Sequence, residues 1–101
     1  MTVYIDSMMA CRKSQEWPWT ESCHLFADGD CELHTFAAVL GLKREWHQTK
    51  SFSHYDLTRR MRAIAVTLGA QEVDRHFLVN FFRGRMARDR GQCDLLQSKR
   101  E

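Results

Sequence analysis

Asp6, His24, His54 and Asp56 are the residues of this chain best suited to chemistry. Two imidazoles and two carboxylates form a donor set that suits a divalent Mn, Fe or Zn ion. An ion held in this way can activate water for attack on a phosphoester. Asp6 ends the first apolar run, Val3-Tyr4-Ile5, and His54-Tyr55-Asp56 lies in polar sequence between an expected strand and an expected helix. If those runs are parallel strands, the ionisable groups collect at one carboxyl rim, where open α/β sheets bind ligands. In the competing reading every one of these groups serves the fold itself. Asp6 then satisfies a loop, Asp56 caps a helix, and the histidines make buried hydrogen bonds.

Other chemistries have weaker sequence support. Cys11, Cys23, Cys31 and His34 follow a C-x11-C-x7-C-x2-H spacing, which lacks the repeated knuckle of structural zinc sites. His34 borders the apolar stripe of an expected helix and reads as an anchor between helix and loop. Cys23 and His24 are adjacent, so on an extended segment they point to opposite faces. Ser51 and Ser53 lie near His54 without an elbow motif. Neither G-x-G-x-x-G nor G-x-x-x-x-G-K-[ST] occurs, which removes the specific support for dinucleotide or P-loop binding.

The elements that must position these groups follow from periodicity. Val3-Tyr4-Ile5 reads as a buried strand. Residues 7–22 show neither period and read as a long loop, whose Trp17, Pro18 and Trp19 fold back as a clasp or a satellite apolar cluster. Residues 23–27 suggest a second extended piece, followed by turn chemistry at Asp28-Gly29-Asp30. Leu33, Phe36, Ala37 and Leu40 mark a first helix stopped by Gly41, and residues 43–47 suggest a strand around Trp46. Leu57, Met61, Ile64, Ala65 and Leu68 mark a second helix ended by Gly69. Residues 71–73 form a third strand, and Asp74 caps a third helix with Phe77, Leu78, Phe81 and Phe82 on its apolar side. This order predicts a single small α/β domain over residues 1–91, with a mainly parallel three- to four-stranded sheet, about three helices and the architecture of a Rossmann-like half-unit. Residues 92–101 read as a loose tail.

Composition places the chain among globular proteins, since 44% hydrophobic and 28% charged residues provide both a core and a solvated surface. The formal charge of +2 is unevenly spread: residues 1–41 carry two basic and six acidic side chains, whereas residues 42–101 carry thirteen and seven. Attraction to a polyanion therefore belongs to the C-terminal part. The opening residues do not resemble a signal peptide, and no apolar run is long enough to span a bilayer. The expectation is a cytoplasmic protein without membrane partners, its four cysteines reduced.

The opening Met-Thr-Val-Tyr-Ile-Asp, Cys23-His24-Leu25, Ala27-Asp28, Glu32-Leu33-His34, Phe36-Ala37, Leu40-Gly41-Leu42, Trp46, His54-Tyr55-Asp56-Leu57 and Leu68-Gly69-Ala70 recur in order. In this pattern the chain resembles a small bacterial and phage family catalogued as domain of unknown function 4031. The resemblance covers about residues 1–73 and departs in the loop from Met8 to Ser22 and in the basic helix of about residues 74–90. It implies no activity.

Two functions fit these observations. The first is a ligand-binding or phosphoester-processing domain, acting on a nucleotide or nucleic acid at Asp6, His24, His54 and Asp56 with a divalent metal. The second is a non-catalytic module that grips a host protein or nucleic acid through Trp17 and Trp19 and through Arg83, Arg85 and Arg88. If the arginines bind nucleic acid, affinity in a filter-binding assay should fall steeply as salt rises and fall again with Arg83→Gln, Arg85→Gln and Arg88→Gln. Affinity that ignores both changes would remove the arginines from the interface.

Overall fold

The computed structural model describes residues 2–50 and 52–84. It is a small α/β domain built on a mixed five-stranded sheet: β1 (Val3–Ile5), β2 (Met9–Ala10), β3 (Glu21–Ala27), β4 (Tyr55–Leu57) and β5 (Gln71–Glu72). Helix α1 (Asp30–Val39), a 3-10 turn (Arg44–Trp46) and α2 (Arg59–Thr67) lie between the strands, and residues 75–84 form α3. Among the described residues, no helix is long and apolar enough to cross a membrane.

The sheet is mostly antiparallel, which corrects the expectation of a mainly parallel Rossmann-like half-unit. The reason lies in residues 7–22, expected as one long loop. Met9 and Ala10 pair with Ser22 and Glu21, so β1, β2 and β3 form a bent hairpin rather than two strands joined by a helical crossover. Parallel pairing needs such a crossover. The segment β4–α2–β5 supplies one, and it sets β5 parallel to β1 through Tyr4↔Gln71 and Ile5↔Glu72. Residues 43–47, expected as a strand, contain the 3-10 turn instead. Trp46 is half-exposed there, so no apolar face exists for a strand to bury.

Alternation along the strands creates two unlike faces. Val3, Ile5, Cys23, Leu25, Ala27, Tyr55 and Leu57 point one way, against Leu33 and Ala37 of α1 and Ala65 of α2. Tyr4 and Phe26 point the other way, where their rings meet Phe77 and Phe81 of α3 at centroid separations of 5.0 to 6.5 Å. The result is three layers: two helices, the sheet, and an aromatic layer under α3. Asp74 Oδ1 accepts the Phe77 amide at 2.8 Å, the expected cap of α3. Gly41 at φ 83° and Gly69 at φ 110° stop α1 and α2 in the left-handed conformation that favours glycine.

The third helix thus has the expected orientation, with Leu78 buried and Arg83 exposed. Arg85, Arg88 and the expected tail lie outside the described residues. Phe26 is fully buried between the core and the aromatic layer. In denaturant titrations Phe26→Ala should cost about 3–5 kcal/mol, against about 0.5 kcal/mol or less for Arg83→Gln. Equal tolerance at the two positions would contradict the layer assignment.

Candidate functional site

The site begins with a break in strand pairing. β1 pairs with β3 in the register Ile5↔Leu25, whereas β2 pairs in the register Met9↔Ser22, so residues 6–8 stand opposite only Cys23 and His24. This extra residue is a β-bulge, which bends the strand and interrupts its ladder. Asp6 fills the gap with its side chain. Its Oδ1 accepts the His24 amide at 2.6 Å, and its own amide donates to the His24 carbonyl at 3.3 Å. Its Oδ2 lies 2.7 Å from His24 Nδ1, and its carbonyl accepts Arg62 Nε of α2 at 2.9 Å.

Because the amide and carbonyl of His24 both face Asp6, neither bonds to β4 on the opposite edge. His24↔Asp56 is therefore a non-hydrogen-bonded pair of the β3–β4 ladder, the kind that brings side chains closest. Thr58 Oγ1 caps α2 by accepting the Met61 amide at 3.2 Å. The cap is thereby supplied by threonine, and Asp56 is left on the sheet face beside His24. His54 joins them from just before β4, where its amide and carbonyl bridge to Gln48.

His24, His54 and Asp56 each offer a ligand atom, and these atoms lie within 4.8 Å of one another; they form the one group of this kind found among the described residues. Hydrogen bonds set the state of both rings. His54 Nδ1 lies 2.7 Å from the Phe52 carbonyl, which can only accept, so Nδ1 carries the proton. His24 Nδ1 faces the Asp6 carboxylate in the same manner. In the neutral form of each ring the lone pair is then on Nε2. Gln48 Nε2 donates to Asp56 Oδ2, leaving Oδ1 at 3.5 Å from His54 Nε2. Phe52 stacks on His54 with centroids 4.4 Å apart and also touches His24, covering the pair.

The electrostatics favour an anionic Asp56 beside a basic His24. Burial opposes charge on His24, but the hydrogen bond and charge of Asp6, with the charge of Asp56, hold its pKa above the ordinary value. Burial likewise opposes ionisation of Asp56, but the hydrogen bonds of His54 and Gln48, with the positive charge that His54 and His24 carry when protonated, outweigh it and lower its pKa. Burial first, and then the Asp6 charge, push the Cys23 thiol up to about 12, so this cysteine is no nucleophile.

Of the four residues that the sequence groups, three therefore converge. Asp6 is fully buried behind His24 with both carboxylate oxygens engaged, and it acts as a positioning residue. The meeting point is a face of the antiparallel β3–β4 pair rather than a parallel carboxyl rim. Gln48 and Phe52 are site residues that sequence reasoning missed; the single aromatic within the polar stretch 48–54 was the available signal. Cys11, Cys23, Cys31 and His34 are not brought together as a set. His34 anchors α1 to strand β4 rather than to the loop, with Nδ1 2.8 Å from the buried Tyr55 hydroxyl and its ring edge-on to His47. Trp17 and Trp19 form an edge-to-face pair at 4.8 Å, and Trp17 Nε1 donates to the Glu21 carbonyl.

A group whose folded pKa is raised stabilises the fold below its unfolded pKa and loses that contribution as pH rises through the folded value. The Tm advantage of the native protein over Asp6→Asn should therefore shrink as pH rises from the ordinary imidazole range through the raised His24 value. In an NMR titration, Asp6→Asn should also lower the His24 pKa, because burial then acts with less opposition. An unchanged His24 titration would break the proposed link between the two residues.

No curated protein and no solved structure matches the chain. A family model described as "Protein of unknown function (DUF4031)" matches residues 3–85. The matched span includes residues 8–22 and all of α3. The chain belongs to the DUF4031 family.

Proposed function

We propose that this domain binds a divalent transition metal through His24 Nε2, His54 Nε2 and Asp56 Oδ1 and uses it to process a phosphoester ligand. One observation carries the reading. With Nδ1 of His54 committed to a carbonyl, the neutral ring turns its Nε2 lone pair toward the Asp56 carboxylate at 3.5 Å, so that either a proton or a cation must stand between the two acceptors. A cation between them relieves that opposition, and the His24 lone pair completes a two-imidazole, one-carboxylate set. Ligand atoms around tetrahedral zinc lie roughly 3.4 Å apart, close to the 3.5 Å between His54 Nε2 and Asp56 Oδ1.

The surroundings suit such a role. Metal-bound imidazoles usually give their second nitrogen to a carboxylate or carbonyl, and Asp6 and the Phe52 carbonyl supply one of each. Three protein ligands leave a coordination position for water or a phosphoryl oxygen. In hydrolysis, the oxygen of water bonds to phosphorus, the ester P–O bond breaks, and the departing alcohol leaves with one of the water's protons. Asp56 and His24 are about three-quarters shielded from solvent while remaining reachable.

Isothermal titration with Mn²⁺ or Zn²⁺ tests the site. The native chain should bind one equivalent, and His54→Ala and Asp56→Asn should abolish binding while keeping a cooperative melt. Asp6→Asn should weaken it by about 10- to 100-fold. Turnover of p-nitrophenyl phosphate should follow metal occupancy and vanish with a chelator. Binding that survives His54→Ala would overturn the ligand set, and a metal-loaded chain without turnover would reduce the function to binding.

A further inference from the structure

A groove of about 1010 Å³ runs along β4 between the loop carrying Trp17 and Trp19 and the 3-10 turn carrying Trp46. Two of its lining residues, Asp56 and Gln48, also belong to the candidate metal site. The groove and the candidate metal site thus share these two residues. Trp19 and Trp46 are each about half exposed. Trp17 is fixed by its bond to the Glu21 carbonyl and supports Trp19 edge-on, so that indole is braced. Large aromatic side chains left in solvent lose hydrophobic stabilisation, and two flanking a concave surface offer stacking platforms.

Charge narrows the occupant. Among the described lining residues the acids are Glu16, Glu45 and Asp56, and the single base is Arg60. A nucleic-acid strand would lay successive phosphates along these acids without the cations that such binding needs. A ligand with one phosphoryl group avoids this conflict, because the metal receives the anion and the remainder is uncharged. Base-to-aromatic stacking tolerates different bases, which suits indoles that offer few directional contacts.

We infer that the groove is the ring subsite of the metal centre, and that the ligand is a nucleoside monophosphate whose base stacks on Trp19 or Trp46 while its phosphoryl group meets the metal. This rests on the metal-site reading and deepens it from a phosphoester to a small aromatic phosphomonoester. The indoles are thereby assigned to a small molecule rather than to a macromolecular partner.

The test compares adenosine monophosphate, ribose 5-phosphate and adenosine by tryptophan fluorescence and calorimetry, with and without Mn²⁺. With metal, adenosine monophosphate should bind more tightly than ribose 5-phosphate. The exposed pair Trp19→Leu/Trp46→Leu should cost it roughly tenfold or more in affinity, while Mn²⁺ and ribose 5-phosphate affinities stay unchanged. Equal affinity for the two phosphates, or discrimination that survives the double variant, would overturn the ring subsite and leave the metal site standing. Adenosine binding that needs no metal and is lost in the double variant would uphold the ring subsite while the metal reading fails. A chain that binds Mn²⁺ but none of the three ligands overturns the inference alone.

Discussion

The contact on which the structure most depends is the buried Asp6 carboxylate laid against both the amide and the ring of His24. A carboxylate shut away from water costs several kcal/mol unless hydrogen bonds replace its hydration. Here the bulge between β1 and β2 leaves the His24 amide without a ladder partner, and Asp6 supplies the missing acceptor. One side chain thus repairs the sheet and orients the imidazole. Arg62 fastens the same turn to α2 through the Asp6 carbonyl, so the bulge is tied to the helical layer as well.

This economy places the histidine pair at a junction of layers. Strand alternation puts His24 in line with Phe26 on the α3 side of the sheet, while Cys23 and Leu25 face α1 and α2. Phe52 links the two regions, stacking on His54 and touching Phe26 and Phe82. A shift of the third helix would therefore be transmitted to the ring that covers the histidines. The contrast with His34 is instructive, because its partner is the hydroxyl of a buried tyrosine and its neighbour is another histidine. Burial, then Arg44 and His47, hold its pKa below the ordinary value, which suits a neutral structural bond.

The helices and most of their ends were legible because local physics decides them, except at the start of α2, where Leu57, expected on the helix, belongs to β4. Apolar spacing and the glycines at 41 and 69 marked α1 and α2, and Asp74 marked the start of α3. The grouping of His24, His54 and Asp56 was also legible, although for a different geometric reason from the one inferred. The sheet's direction was not, because Met9-Ala10 is too short and too weakly patterned to read as a strand; its pairing with Ser22 and Glu21 is a tertiary fact. The same hidden bulge concealed the role of Asp6, since composition alone does not tell a ligand from the residue that steers it. Thr58, next to the strand, took the cap that Asp56 was equally able to provide in sequence terms.

The parallel pairing of β1 with β5 joins the first strand to residues 71 and 72. During synthesis the hairpin and β4 can assemble as soon as they emerge, but the outer edge of β1 has no partner until nearly the whole described chain has been made. An open edge invites strands from other molecules, and this one is protected by its brevity, with only three residues available as a template. The final strand is shorter still and bears Gln71 and Glu72, both exposed. The domain closes its sheet late, with a polar strip that is poorly suited to recruiting another copy in its place.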